Sequence, residues 1–328
     1  MPQLQDFRRG RPGFYPDQAI YAEYACARLG LGFHELDGGT GLLFSVASAS
    51  REICFGGGRC SYYPQNNATA SSLATDKYLA DALLRRAGLA TLGGRYFFLH
   101  DRHRALRPAG HERSDALDYL EALGGRAFAK PLTGSRGDFA RPVDGGAALA
   151  SYLDEVARIY DSVLIQPVAA GHEYRIFVID GEVLYSARKR PPFLIGDGVH
   201  TLRELLRHHD RALRDIGLSD TASDDAAFDE VPAAGELRAI EGRMNLSAGG
   251  TMTMDDAGAA AIAAAISAVR ALGLRLGAVD LFVDPERRDA VQVIEVNSNP
   301  AIRFLETCGR DDLILAIWRH TFTTTGLL

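Results

Sequence analysis

Cysteine is scarce in this 328-residue chain: Cys26, Cys54, Cys60 and Cys308 show no CxxC spacing. That argues against a disulfide framework or a structural zinc site and leaves reduced thiols as the plain reading. Positive charge is also short. The 36 Lys and Arg stand against 42 Asp and Glu, a formal net charge of −6, so bulk electrostatics give no support to nucleic-acid or anionic-membrane binding. No basic-then-apolar signal opens the chain, and the alanine-rich stretch 257–267 is too short to span a bilayer. A soluble, cytoplasmic protein is expected. Tandem repeats, long low-complexity tracts and a GxxxxGK[ST] motif are missing as well. What the chain has is apolar mass. It is 47% hydrophobic and 24% charged, enough for a large core, and its length suggests two or three compact lobes.

Strands and helices mix along the whole chain, which predicts an α/β (α+β) fold. A polar, proline-marked arm leads into "DQAIYAEYACARLG", an amphipathic helix ending at Gly30, followed by short β-like pieces "FHEL", "GLLFSV" and "REICF". "ATDKYLADALLRRAGLAT" predicts a helix capped by Thr75 and stopped at Gly88. "RAFAKPLTGSRGDFARPV" reads as a strand broken by a glycine-rich basic turn, then come a helix through "AALASYLDEVARIY" and a strand "SVLIQPV". The strongest hairpin signature is "EYRIFVI-DG-EVLYSAR", two β-rich runs joined by Asp180-Gly181. Residues 203–242 turn polar and acidic, with helices and mobile loops expected. "MDDAGAAAIAAAISAVRALG" predicts a helix with Asp255 and Asp256 at its positive end, and "DDLILAIWRH" a last helix. The organisation expected is 1–74, a small N-terminal lobe; 75–168, a central lid; and 169–328, a C-terminal lobe.

Between those last helices runs "LGAVDLFVDPERRDAVQVIEVNSNPAI", where Asp280 and Glu295 interrupt otherwise apolar strands. A carboxylate placed in a core needs a cation. Glu295 and Asn297 leave one face of a strand, and Asp280 on a neighbouring strand can meet them, giving three oxygen donors suited to Mg²⁺ on a nucleotide. A solvated edge, or pairing with arginines, is the alternative. Lys130 stands at a strand end before the turn with Gly134, Ser135 and Gly137, where an ammonium and backbone N–H groups suit a phosphate; a plain hairpin is the alternative. Lys77 is a second candidate cation, or an ordinary surface lysine. Gln166, Pro167 and Val168 form a short hinge able to read an adenine edge, and Glu173 lies a short loop away for ribose hydroxyls. Arg188, Lys189 and Arg190 crowd a strand end, and Arg243 and Asn245 precede Gly249-Gly250; such cations suit a substrate carboxylate or a phosphorylated intermediate, or form a solvated basic patch.

In this order the pieces resemble the ATP-grasp superfamily of carboxylate–amine ligases across roughly residues 70–308. "GHEYRIFVIDGEVLYSARKRPPFLIGDGVHTLREL" and "NLSAGGTMTMDD" are similar to stretches of cyanophycin synthetase and of the ATP-grasp half of bifunctional glutathione synthetases; "EVNSNPAI" is especially similar to the latter. The resemblance implies a small N-terminal lobe and two lobes clamping ATP. Lys77, Lys130, Gly134, Ser135, Gly137, Gln166, Pro167, Val168, Glu173 and Arg175 would hold ATP. Asp280, Glu295 and Asn297 would ligate Mg²⁺, with Mn²⁺ as a substitute. Arg243, Asn245, Lys189 and Arg188 would serve the chemistry. The implied reaction joins a small-molecule carboxylate to an amine through an acyl phosphate; a phosphotransferase and a non-catalytic nucleotide-binding module are the alternatives. No nucleic-acid or membrane partner is expected, and a homo-oligomer is left open. Three positions depart from the family pattern: Phe139 replaces a lid glycine, Gln166 a glutamate, and Lys189 an arginine. Ala278 stands where D-alanine–D-alanine ligases carry an arginine, which argues against that branch.

Overall fold

The element order follows hydrophobic periodicity closely. In this computed structural model, residues 2–56, 62–134, 137–215, 226–239 and 250–328 are described. The chain opens with α1 (Leu4–Arg8) and α2 (Asp17–Leu29), the latter closed by Gly30 in the left-handed region at φ 73°. A three-stranded antiparallel sheet follows, β1 (Gly32–Glu35), β2 (Leu43–Ala47) and β3 (Glu52–Gly56). Next come α3 (Ala68–Thr75) and α4 (Lys77–Arg86). The cap of α4 is Asp76, whose carboxylate accepts from the backbone N–H of Tyr78 and Leu79; Thr75, expected as the cap, is instead the last residue of α3.

A second unit runs through β4 (Arg95–Phe98), α5 (Arg113–Ala122), β5 (Arg126–Pro131), β6 (Arg141–Asp144), α6 (Gly146–Val156) and β7 (Ser162–Gln166). Its sheet has the order β4-β7-β5-β6, and its core is its own: Phe97, Leu120, Leu149, Tyr152 and Ile165 pack together. The third unit contains β8 (His172–Ile179), β9 (Glu182–Arg190), β10 (Phe193–Ile195), α7 (Leu202–Asp215), β11 (Leu237–Ala239), β12 (Thr251–Met254), α8 (Ala259–Ala271), β13 (Leu276–Val283), β14 (Val291–Asn297), α9 (Arg303–Thr307) and α10 (Asp311–Thr324). The hairpin joining β8 and β9 turns at Asp180 and Gly181 with φ of 47° and 85°, the two positive values a primed turn requires. Of the pair β10-β11, only β11 lies in the stretch 203–242 expected to hold helices and loops.

The five-stranded sheet β12-β9-β8-β13-β14 organises the rest, because both of its faces are packed. Ile176, Val178, Val279 and Leu281 meet the alanine stripe of α8 on one face, together with Ala80 and Leu84 of α4. Phe177, Tyr185, Ala187 and Ala278 on the other meet α2, the N-terminal sheet and α10, around the lone tryptophan Trp318. Strand alternation therefore decides which side chains enter the region between the lobes.

Candidate active site

The face of the five-stranded sheet that carries Phe177 and Ala278 also carries, toward the second unit, a row of charged groups. Antiparallel register sets Asp280 opposite Arg175 on β8 and opposite Glu295 on β14, with Ala278 opposite Asn297. Arg175 grips Asp280 with a fork: Nε donates to Oδ1 at 2.8 Å and Nη2 to Oδ2 at 2.7 Å. Lys189 of β9 donates to Asp280 Oδ2 at 2.8 Å and to Glu173 Oε1 at 2.6 Å. The group is buried: Asp280 is 1% exposed, Lys189 4% and Glu173 7%. Burial alone would push the Asp280 carboxyl up; Arg175 and then Lys189 outweigh it and hold Asp280 far below the usual carboxylate range. Glu173 has the lysine but no arginine fork, and burial leaves its pKa raised. Lys189 is pushed down by burial and pulled above its ordinary value by Asp280 and Glu173.

The arginine-partner alternative thus describes Asp280 here, with Arg175 committed to it. Glu295 and Asn297 stand beside this network, half-buried, with Asn297 Nδ2 donating to Glu295 Oε1 at 3.3 Å. Among the described residues no group of three or more His, Cys, Asp or Glu is arranged to hold a metal ion. The expected trio differs from such a group, since it counts two carboxylates and an amide, carried on the neighbouring strands β13 and β14.

Lys130 and Lys77 both feel the charge of Glu295. Lys130 is next to last in β5 and is 6% exposed, yet no hydrogen bond or ion pair holds its ammonium among the described residues. Burial pushes its pKa down, opposed by the charges of Glu295, Glu173 and Asp280, in that order. Lys77, at the start of α4, donates to the carbonyls of Leu132 and Gly134; burial lowers its pKa too, against the attraction of Glu295. Gln166 ends β7, gives its Nε2 to the Gly93 carbonyl at 2.6 Å, and leaves Oε1 buried without a donor. Pro167 and Val168 follow, exposed, in the link to β8. A buried ammonium lacking an anion and a buried carbonyl lacking an N–H fit a nucleotide with its phosphates at one end and an exocyclic amine at the other.

The remaining expectations scatter. Gly137 takes φ 74° in the turn before β6, and Gly134 has Pro131 so close that an added Cβ would lie 2.9 Å away. Phe139 adopts a left-handed φ of 52° and packs edge-on to Tyr160, which donates to Asp138. Ser135, Arg243 and Asn245 lie outside the described residues. Arg188 is not brought to the row: neighbouring strand residues point oppositely, so with Lys189 facing Glu173, Arg188 faces the α8 side, opposite Tyr174. The Lys189–Glu173–Asp280–Arg175 closure was missed as a unit. Its signal was present in the i, i+2 spacing of Glu173 and Arg175 on one strand.

No family model matches the chain. Among curated proteins, the glutathione biosynthesis bifunctional protein GshAB of Listeria monocytogenes is 32% identical over 170 residues, 45% of this chain and 22% of that protein. The cyanophycin synthetase of Trichormus variabilis is 25% identical over 212 residues, 58% of this chain and 24% of that protein. The chain thus matches less than a quarter of the length of either. A crystal structure of D-alanine–D-alanine ligase from Bacillus anthracis superimposes with a TM-score of 0.52 at 16% identity, covering 79% of this chain and 71% of that one. A bifunctional glutathione synthetase from Pasteurella multocida gives 0.52 at 17%, covering 96% and 45%. Among the described residues no helix is long and apolar enough to cross a membrane. The superposition shows that the chain shares the fold of these ligases, and about half of its sequence is similar to GshAB and cyanophycin synthetase.

Proposed function

We propose that the chain is an ATP-dependent carboxylate–amine ligase acting on amino acids or small peptides. The observation that carries this reading is Lys130, a buried lysine that pairs with no anion among the described residues and feels the charges of Glu295, Glu173 and Asp280. A substrate carboxylate takes the γ-phosphoryl group of ATP, giving an acyl phosphate and ADP; an amine then displaces phosphate and forms the amide. The protein contributes position and charge, and needs no covalent nucleophile. Lys130 and Lys77 neutralise phosphate oxygens. Gln166 Oε1 accepts from the adenine amine, with Pro167 and Val168 lining the hinge. Glu173 receives the ribose hydroxyls once Lys189 turns from it toward the phosphates. Glu295, Asn297 and Asp280 would hold Mg²⁺, which when bound offsets charge on the phosphate oxygens. Arg243 and Asn245 steady the tetrahedral intermediate, and the β5–β6 turn covers the nucleotide and excludes water.

The test is ATP with a panel of amino acids and hydroxylamine. A hydroxamate formed together with ADP, as an activated acyl phosphate yields and a stable phosphate ester does not, supports the ligase. ADP release with a stable phosphorylated product and no hydroxamate points to a phosphotransferase. ATP binding with no substrate-stimulated ADP release points to a non-catalytic module. Glu295→Gln should abolish turnover with an unchanged thermal transition; near-normal activity would remove the metal assignment.

A further inference from the structure

Arg188, turned away from the carboxylate row, opens onto a cavity of about 290 Å³ on the opposite face of the sheet, lined by His172, Tyr174, Arg188, Asp255, Asp284 and Arg288. Its charges are unevenly satisfied. The Nε of Arg188 is buried without a hydrogen bond, and no carboxylate pairs with Arg188 among the described residues. Arg288 gives one bond, from Nη2 to the Asp256 carbonyl at 2.7 Å, and likewise has no carboxylate partner among them. Asp284 is already committed, taking the N–H groups of Glu286 and Arg287 and the Arg287 guanidinium at 3.2 Å. Asp255 keeps most of its capacity, its side chain accepting, among the described residues, only the Tyr174 hydroxyl at 3.3 Å. His172 lies in the same field: burial, then Arg188, Arg190 and Arg288, press its pKa down, so the imidazole stays neutral there.

Two guanidiniums without anions and one carboxylate with spare acceptor capacity thus share a space of amino-acid size. A planar carboxylate matches the guanidinium forks, and an ammonium beside it matches Asp255. Val283 and Pro285 supply an apolar wall for a short side chain. We propose that this cavity binds the zwitterionic head of a free α-amino acid, carboxylate on Arg188 and Arg288, ammonium on Asp255. The site is separate from the proposed ligase machinery, because the five-stranded sheet lies between them. Its walls nevertheless alternate residue by residue with that machinery: Tyr174 sits between Glu173 and Arg175, and Arg188 precedes Lys189.

Calorimetric titration of the full chain with glycine, L-alanine, L-glutamate and L-lysine tests this, with acetate and ethylammonium as single-charge probes. At least one amino acid should bind more tightly than either single-charge probe. Arg288→Gln and Asp255→Asn should each weaken that binding by about tenfold or more, with thermal transitions unchanged. Absence of binding by every amino acid would overturn the proposal. So would binding that neither substitution weakens, which assigns the ligand to another site, or acetate binding as tightly as the amino acids.

Discussion

Lys189→Met removes the one cation shared by Glu173 and Asp280 while nearly preserving side-chain volume. Both of its bonds are short, 2.6 and 2.8 Å, and all three groups are buried. Breaking a buried pair by deleting one partner costs about 3–5 kcal/mol, because a charge is left uncompensated. Asp280 keeps the Arg175 fork, so the damage falls on Glu173, and the lower end, about 3 kcal/mol, is expected at neutral pH. That is a large share of an ordinary domain's stability, roughly 5–15 kcal/mol. The pH dependence follows from direction. Burial already raises the Glu173 pKa, and Lys189 is the main influence lowering it; without the lysine it rises further. A carboxyl whose folded pKa is raised keeps its proton in the folded chain while the unfolded chain, at its ordinary value of about 4.3, releases it. Stability of the variant therefore falls as pH climbs through the window above about 4.3 and levels off past the raised pKa, so the deficit narrows on acidification. Urea unfolding followed by Trp318 fluorescence, at about pH 7.5 and about pH 5, measures both quantities; this lone tryptophan lies in the same core as Phe177 and Tyr185. Adding Glu173→Gln to the variant should restore a substantial part of the loss. A deficit under about 1 kcal/mol, the range of exposed pairs, or one that widens at the lower pH, would refute the reasoning.

Three further outcomes follow from the same geometry. Lys130→Met should leave the thermal midpoint unchanged or raise it, since it removes a buried charge without a partner, while lowering ATP-dependent turnover by about 100-fold or more; a lowered midpoint with normal turnover would reverse the assignment. Gly94→Ala should destabilise by about 3 kcal/mol or more, because Gly94 holds φ 123° and its Cβ would meet the Ile165 carbonyl oxygen at 2.6 Å; an unchanged melting transition would contradict that clash. Arg275→Gln breaks a half-exposed fork to Asp180 and should cost less than about 1 kcal/mol. Arg275 and then His320 hold the Asp180 pKa at about 2, so this contribution is present above the ordinary carboxylate value and fades as pH falls toward 2; a loss growing at low pH would be inconsistent.

The fold was legible where local chemistry and tertiary packing agree. The Asp180-Gly181 turn needs two positive φ values that this dipeptide supplies cheaply, and the helix stops at Gly30 and Gly88 need one each. The cap of α4 was misread by one residue, because Thr75 and Asp76 are both competent acceptors and only the fold puts the first inside α3. The β10-β11 pair escaped notice since each strand is three residues long, too short for a period-two pattern to emerge.

In the candidate site, residue types were legible and partners were not. A carboxylate in an apolar strand announces that a cation is near; whether that cation is a metal or a side chain depends on which residue the neighbouring strand sets opposite. Register chose Arg175 for Asp280, and that depends on the pairing of β8 with β13, whose residues stand about a hundred positions apart in sequence. The basic triplet makes the same point in reverse. Arg188, Lys189 and Arg190 read as one cluster along the chain, yet a strand sends neighbours to opposite faces, so the triplet supplies Lys189 to the carboxylate row and Arg188 to a separate cavity. A cluster on a strand is therefore two half-clusters, and each must be matched to its own face before a role is assigned to any member.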